Sequence, residues 1–194
     1  INKYYRKNQQ SFIDRIRKMH FGEKLNLQIA GEATPRIKST SDKDWSKISL
    51  PYMSIGYETT VTPLHTLTFY NAVANNGKMV KPLFVKEIRY RGDVVKRFTT
   101  KVIADSICSS STIAKAKELL EGVILNGTGS KLKECAYTVA GKTGTAQMAN
   151  NSQGYKGSKI KYQASFCGYF PADKPTYSCI VVVYNPSVAG YYGG

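Results

Sequence analysis

An α+β fold, an antiparallel sheet with helices packed on it, is predicted by three features of the sequence. Apolar residues recur at helical spacing in several early segments, three β-rich runs follow one another at the end, and turn-forming residues separate those runs. Strands joined directly by turns pair antiparallel. With 194 residues, 42% hydrophobic and 21% charged, the chain is long enough to bury a core as one ordinary domain.

In chain order, the first helix covers residues 11 to 20. Ser11 and Asp14 have the spacing of a capping box, and Phe12, Ile13, Ile16 and Met19 share one face until Gly22. Arg15, Arg17 and Lys18 crowd the other side, which reads as a solvated face. Between Gly22 and Pro51 the pattern dissolves into Gly, Pro, Ser, Thr and charge, so a long loop is expected, with Trp45 as its packing anchor. Thr62 and Pro63 then give an N-cap and first-turn signal for a helix that is apolar on most sides until Asn75-Asn76-Gly77. Tyr57, Glu58 and Thr59 just before it read as loop and capping residues.

Residues 81 to 90 and 93 to 98 form a hairpin about Arg91-Gly92, its cations protecting an exposed edge from mispairing. A further helix starts at Ser110 or Ser111 and ends at Asn126-Gly127, with Ile113, Ala116, Leu120, Val123 and Ile124 on one side. The strands run from Tyr137 to Gln147, from Lys161 to Phe170 and from Thr176 to Tyr184. A polar loop, Asn150 to Lys161, and the turn Pro171 to Pro175 separate them.

Charge narrows the partners. The formal charge is +15, from 28 Lys+Arg against 13 Asp+Glu, and a field of that sign favours anions. No RNP-like or zinc motif accompanies it, which argues against a nucleic-acid-binding domain. The two histidines, His20 and His65, have no Cys at metal-ligand spacing, so neither a metal nor any other cofactor is expected. No run approaches the length of a membrane span.

The chemistry concentrates in Tyr137 to Gln147, where an apolar strand runs directly into Lys142-Thr143-Gly144-Thr145. Gly141 and Gly144 remove side chains on either side of Lys142, so a ligand could approach the backbone N–H groups. A cation, hydroxyls and bare donors suit a substrate with a carboxylate and a carbonyl that becomes negative during reaction. An ordinary edge strand with two glycine bulges is the alternative on these residues alone. A P-loop is excluded because Ala136 occupies the position of its first glycine.

With its flanks, "VAGKTGTAQ" resembles the K-T-G strand of penicillin-binding proteins and serine β-lactamases, whose motifs are S-x-x-K, S-x-N and K-T-G. The stretch "IGYETTVTPLHTLTFYNAVANNGKMVKP", Ile55 to Pro82, resembles class B penicillin-binding transpeptidases, of the cell-division type and Bacteroides-like. The resemblance covers about Phe21 to Gly194 and implies a D,D-transpeptidase domain that cross-links peptidoglycan and is acylated by β-lactams. Its partners would be D-Ala-D-Ala stem peptides, β-lactams and cell-division membrane proteins, on the extracytoplasmic side of the inner membrane. A β-lactam sensor or non-catalytic penicillin-binding module is the alternative.

The same resemblance implies that Lys142 is the catalytic cation and that Thr143, Gly144 and Thr145 bind substrate, the Thr145 N–H being one oxyanion donor. Strand alternation puts Lys142 on the face opposite Thr143 and Thr145. The S-x-x-K matches at Ser130 and Ser158 fall out of family order and read as accidental; no S-x-N occurs. Ile1 to Lys7 resembles the helix that follows S-x-N. The chain is therefore expected to be a partial domain, residues 1–194, whose nucleophile and membrane anchor lie outside it. By itself it should be inactive. The family's sheet is five-stranded with helices on both faces, so one face here is expected to be under-covered. Finally, Cys167 and Cys179 lie six residues either side of Asp173, opposed for a cross-strand disulfide; strained geometry favours reduced core thiols.

Overall fold

A computed structural model of the chain describes residues 1–148, 161–187 and 193. Its strand pairings are all antiparallel and its helices account for the periodic segments, which is the α+β class expected. The chain divides into two compact units, residues 1–68 with 78–108, and residues 69–77 with 109–194.

The first unit begins with a short helix α1 (Asn2–Tyr5) and then α2 (Gln10–Lys18), whose cap differs from the expected box. Asn8 takes the capping place, its Oδ1 accepting from Ser11 N at 3.2 Å, while Asp14 accepts from Gln10 Nε2 at 2.8 Å. Ile13 on α2 is fully buried, and Arg15, Arg17 and Lys18 are exposed. His20 is the left-handed residue past the helix end (φ 58°), 3.1 Å from Glu23.

The expected long loop is stapled by its charges. Strand β1 (Arg36–Ile37) and a short helix α3 (Ser49–Met53) interrupt it, and β1 pairs with β2 (Thr59–Thr60). Lys38, 7% exposed, reaches Glu58 at 2.8 Å and Asp44 at 3.3 Å. The hydrogen bond that Lys38 donates to Glu58 holds its ammonium pKa above the ordinary lysine value. Glu58 is thus a structural ion-pair partner, at a left-handed backbone position (φ 58°). Trp45 is half-buried and donates from Nε1 to Gln9 Oε1 at 3.0 Å.

Glu32 closes the same segment. Its carboxylate accepts from Leu27 N at 3.0 Å and Leu25 N at 2.5 Å, with His65 Nε2 4.0 Å away. The hydrogen bond from Leu27 is the largest influence holding its pKa below the ordinary 4.5, and burial opposes it. A carboxyl depressed in the folded state stabilises fully above its unfolded pKa, and that contribution is lost as pH falls through the folded value. Glu32→Gln should therefore lower the melting temperature near pH 7, with the gap from the unaltered chain narrowing at a second, acid pH as the lowered carboxyl takes up its proton. An equal gap at both pH values would show that Glu32 acts by shape, not charge.

Helix α4 (Pro63–Ala74) starts as predicted: Thr62 Oγ1 accepts from His65 N at 3.3 Å and lies 2.7 Å from His65 Nδ1. It stops at Asn76 and Gly77, both left-handed (φ 54° and 93°). Within the first unit β3 (Met79–Val80) follows. The predicted hairpin is β4 (Glu87–Tyr90) and β5 (Asp93–Arg97), and β6 (Val102–Ala104) pairs back on β3. Arg91 and Gly92 both have positive φ (50° and 95°), the two-residue turn that matches strand twist. Glu87 binds Arg89 at 2.6 Å and Arg97 at 3.2 Å, so the hairpin's cations are partly tied down on its own surface.

In the second unit, α5 (Ser110–Asn126) is capped by Ser109, whose Oγ accepts from Thr112 N at 3.2 Å; Ile113 and Ile124 are its buried residues. A 3-10 turn, Ser130–Leu132, leads to β7 (Ala140–Met148), β8 (Lys161–Phe170) and β9 (Tyr177–Tyr184), paired in the order β7-β8-β9. The key strand starts three residues later than predicted because Thr138 bonds the β8–β9 turn: its O and Oγ1 accept from Ala172 N at 3.0 and 2.9 Å. Tyr169 is fully buried with Ala140 and Ala74, and Leu120 packs against them. The polar loop 150–160, including Ser158, lies outside the described residues.

The register corrects the cysteine expectation. Cys167 pairs with Ile180, and Cys179 pairs with Gly168. The hairpin centre lies half a residue beyond Asp173, and that one-residue offset sends the two thiols to opposite faces of the sheet. All four cysteines are free, and burial pushes the Cys167 thiol up to about 12. Thiol titration of denatured, unreduced protein should accordingly count four thiols. A count of two would overturn the register. On the face shared by Cys179, Val181 and Val183 are 57% and 46% exposed, the thin cover expected for one side of the sheet.

Candidate active site

Strand β7 is an edge strand, and among the described residues nothing pairs with its outer side. Which backbone groups face that side follows from two contacts. Lys142 Nζ donates to Thr143 O at 2.9 Å, so this carbonyl points away from β8. Asn185 N donates to Tyr162 O at 2.8 Å, which turns the even-numbered residues of β8 toward β9 and leaves its odd-numbered ones for β7. Both contacts agree: Lys142 and Gly144 join the ladder with Cys167 and Ser165, while Thr143 and Thr145 present N–H and C=O at the open edge.

Alternation holds as expected, with Lys142 on one face and the two threonines on the other. The long side chain overcomes it by curling round the free edge, where Nζ comes to 3.5 Å from Thr143 Oγ1. A cation, a hydroxyl and the outward Thr145 N–H therefore converge along one strand edge. Thr145 Oγ1 accepts from Gly193 N at 3.3 Å, and Thr143 Oγ1 lies 2.6 Å from Thr128 Oγ1. The threonine face borders an apolar hollow of about 380 Å³ lined by Leu132, Thr143, Ala164, Phe166, Val181 and Val183 among others.

The glycines differ from expectation. A Cβ on Gly141 would lie 2.5 Å from Phe166 Cζ and 2.7 Å from Cys167 O, so this residue makes room for the protein's own ring, not for a ligand. Gly144 spends its N–H in the ladder, and a Cβ there would meet Ser165 Oγ at 2.5 Å. Ser130 is exposed in the 3-10 turn, unlike an activated nucleophile at the start of a buried helix. Thr128 is the residue that sequence reasoning passed over. It lies in the turn between the helix stop at Asn126-Gly127 and the key strand, and its partner lies 15 residues away.

The family model for the penicillin-binding protein transpeptidase domain matches residues 5–194. The chain belongs to this family. It is 28% identical to the peptidoglycan D,D-transpeptidase FtsI of Buchnera aphidicola over 94% of its length, covering 30% of that protein. It is also 28% identical to stage V sporulation protein D of Bacillus subtilis, over 92% of the chain and 27% of that protein. The crystal structure of penicillin-binding protein 3 from Mycobacterium tuberculosis complexed with ampicillin aligns with a TM-score of 0.77 and 27% identity. That alignment covers 91% of this chain and 40% of the other. The chain thus spans about a third or less of the curated relatives' length. Among the described residues no helix is long and apolar enough to cross a membrane.

Proposed function

We propose that residues 1–194 are part of one transpeptidase domain and form the carboxylate-binding side of a serine D,D-transpeptidase site. The observation that carries this is the convergence of Lys142 Nζ and Thr143 Oγ1, 3.5 Å apart, on the open edge of β7. The Lys142 ammonium and the Thr143 and Thr145 hydroxyls bind the terminal carboxylate of a D-Ala-D-Ala stem peptide. The outward Thr145 N–H donates to the carbonyl oxygen as it becomes an oxyanion.

In this reading the nucleophilic serine and its lysine belong to residues beyond these 194. The serine Oγ attacks the D-Ala-D-Ala peptide carbonyl, the terminal D-Ala leaves with the proton, and a second stem's amine displaces the ester to form the cross-link. β-Lactams, which carry the same carboxylate and a strained amide, acylate the same serine. Cell-division membrane proteins and an extracytoplasmic location belong to the same proposal. The test is made on the full-length protein: Lys142→Ala should impair acylation by a penicillin, and an unchanged rate in a folded variant would remove β7 from the active site.

A further inference from the structure

The turn that follows α5 holds Thr128 unusually firmly. Gly127 N and Gly129 N both donate to Val123 O, at 3.1 and 3.0 Å, which pins the backbone on either side of Thr128 to one helix carbonyl. A side chain at Gly127 would meet backbone, and one at Gly129 would displace a neighbouring side chain. A Cβ on Gly127 would lie 2.8 Å from Val123 O, and one on Gly129 would lie 2.6 Å from Ile124 Cδ1. Thr128 is exposed, yet its hydroxyl sits 2.6 Å from Thr143 Oγ1, a short hydroxyl–hydroxyl bond.

That bond has a direction with chemical consequences. A hydroxyl has one proton to donate and two lone pairs to accept with, and a lysine ammonium only donates. If Thr143 donated to Thr128, it would turn a lone pair toward a ligand carboxylate and repel it. If Thr128 donates, Thr143 Oγ1 accepts from Thr128 and faces Lys142 Nζ at 3.5 Å. Its single proton is then left for a group at the open edge. Donors arranged in series also polarise one another, most strongly when the chain ends on an anion.

We infer that Thr128 is a positioning residue for the proposed site: it donates to Thr143 Oγ1 and so reserves the Thr143 proton for an anionic acceptor. The inference rests on the transpeptidase reading above and deepens it, because it makes the site discriminate a free carboxylate from an esterified one. The role needs no contact between Thr128 and substrate.

The experiment uses the full-length protein and compares second-order acylation by benzylpenicillin with that by its methyl ester. Thr128→Val, which keeps the shape and removes the donor, should slow benzylpenicillin about tenfold and the ester by less than about threefold. Thr128→Ser should stay within about twofold of the unaltered protein. Thr128→Ala gives the same comparison if the valine variant does not fold. Equal slowing of both compounds, no slowing, or faster acylation by benzylpenicillin would each overturn the inference. Thr143→Val separates the two levels. If it slows benzylpenicillin while Thr128→Val does not, only the role of Thr128 falls. If neither slows it, the carboxylate-binding reading falls with it.

Discussion

Lys142→Ala in the full-length protein is expected to slow acylation by benzylpenicillin about ten- to a thousandfold, ~1.5–4 kcal/mol of transition-state stabilisation, while the melting temperature barely moves. The large effect follows from position. The ammonium curls round an open strand edge, where its Nζ lies 2.9 Å from Thr143 O and 3.5 Å from Thr143 Oγ1. It is thereby placed beside the Thr143 hydroxyl, which in the proposed function meets the substrate carboxylate, and a charge-assisted contact there strengthens as the site desolvates. The small effect on folding follows from exposure. Lys142 is exposed and among the described residues makes no ion pair, so truncating it removes little that the folded chain depends on. Second-order acylation rates measured beside thermal melts separate the accounts. A fall in both would make Lys142 a structural residue, and a fall in neither would take the strand out of the chemistry.

The second large effect concerns the 194-residue chain by itself. Incubated with a fluorescent penicillin, it should acquire no covalent label, whereas the full-length protein should label at one serine. Acylation needs a hydroxyl activated by an adjacent base. The one described S-x-x-K match begins at Ser130, exposed in a 3-10 turn where no buried helix presents it. Labelling of the isolated chain at a rate comparable to the full-length protein would overturn this, and peptide mapping would show whether Ser130 or Ser158 had reacted.

Local chemistry explains which features could be read from the sequence. The α4 cap at Thr62-Pro63, the Arg91-Gly92 turn and the placing of Lys142-Thr143-Gly144 on a strand each depend on residues within a few positions of one another, and each is found as predicted, though that strand begins three residues late. What could not be read depends on partners far apart. The segment after Gly22 looked like open loop because its staples join Lys38 to Glu58 and Trp45 to Gln9, pairings with no local periodicity. Gly141 looked like an opening for a ligand because the ring that fills its space, Phe166, arrives from the neighbouring strand. The cysteine pairing failed by one residue. Composition alone does not say where a six-residue connection, 171–176, turns the chain.

The pairing of Cys167 beside Lys142 in the β7–β8 ladder also makes the opening of strand β7 observable in time. Only the thiolate reacts with alkylating reagents, and a thiol that is 5% exposed with a pKa pushed up to about 12 is nearly inert while the ladder is closed. Its modification therefore waits for the strands to part. In the regime of fast reclosing, the rate reports the equilibrium between closed and opened ladder, one local free energy within the larger stability of the chain. Cys135, exposed before β7, supplies the intrinsic rate for comparison in the same molecule. A non-catalytic sulfur thus serves as a clock for the strand that carries the lysine, without any label on the lysine itself.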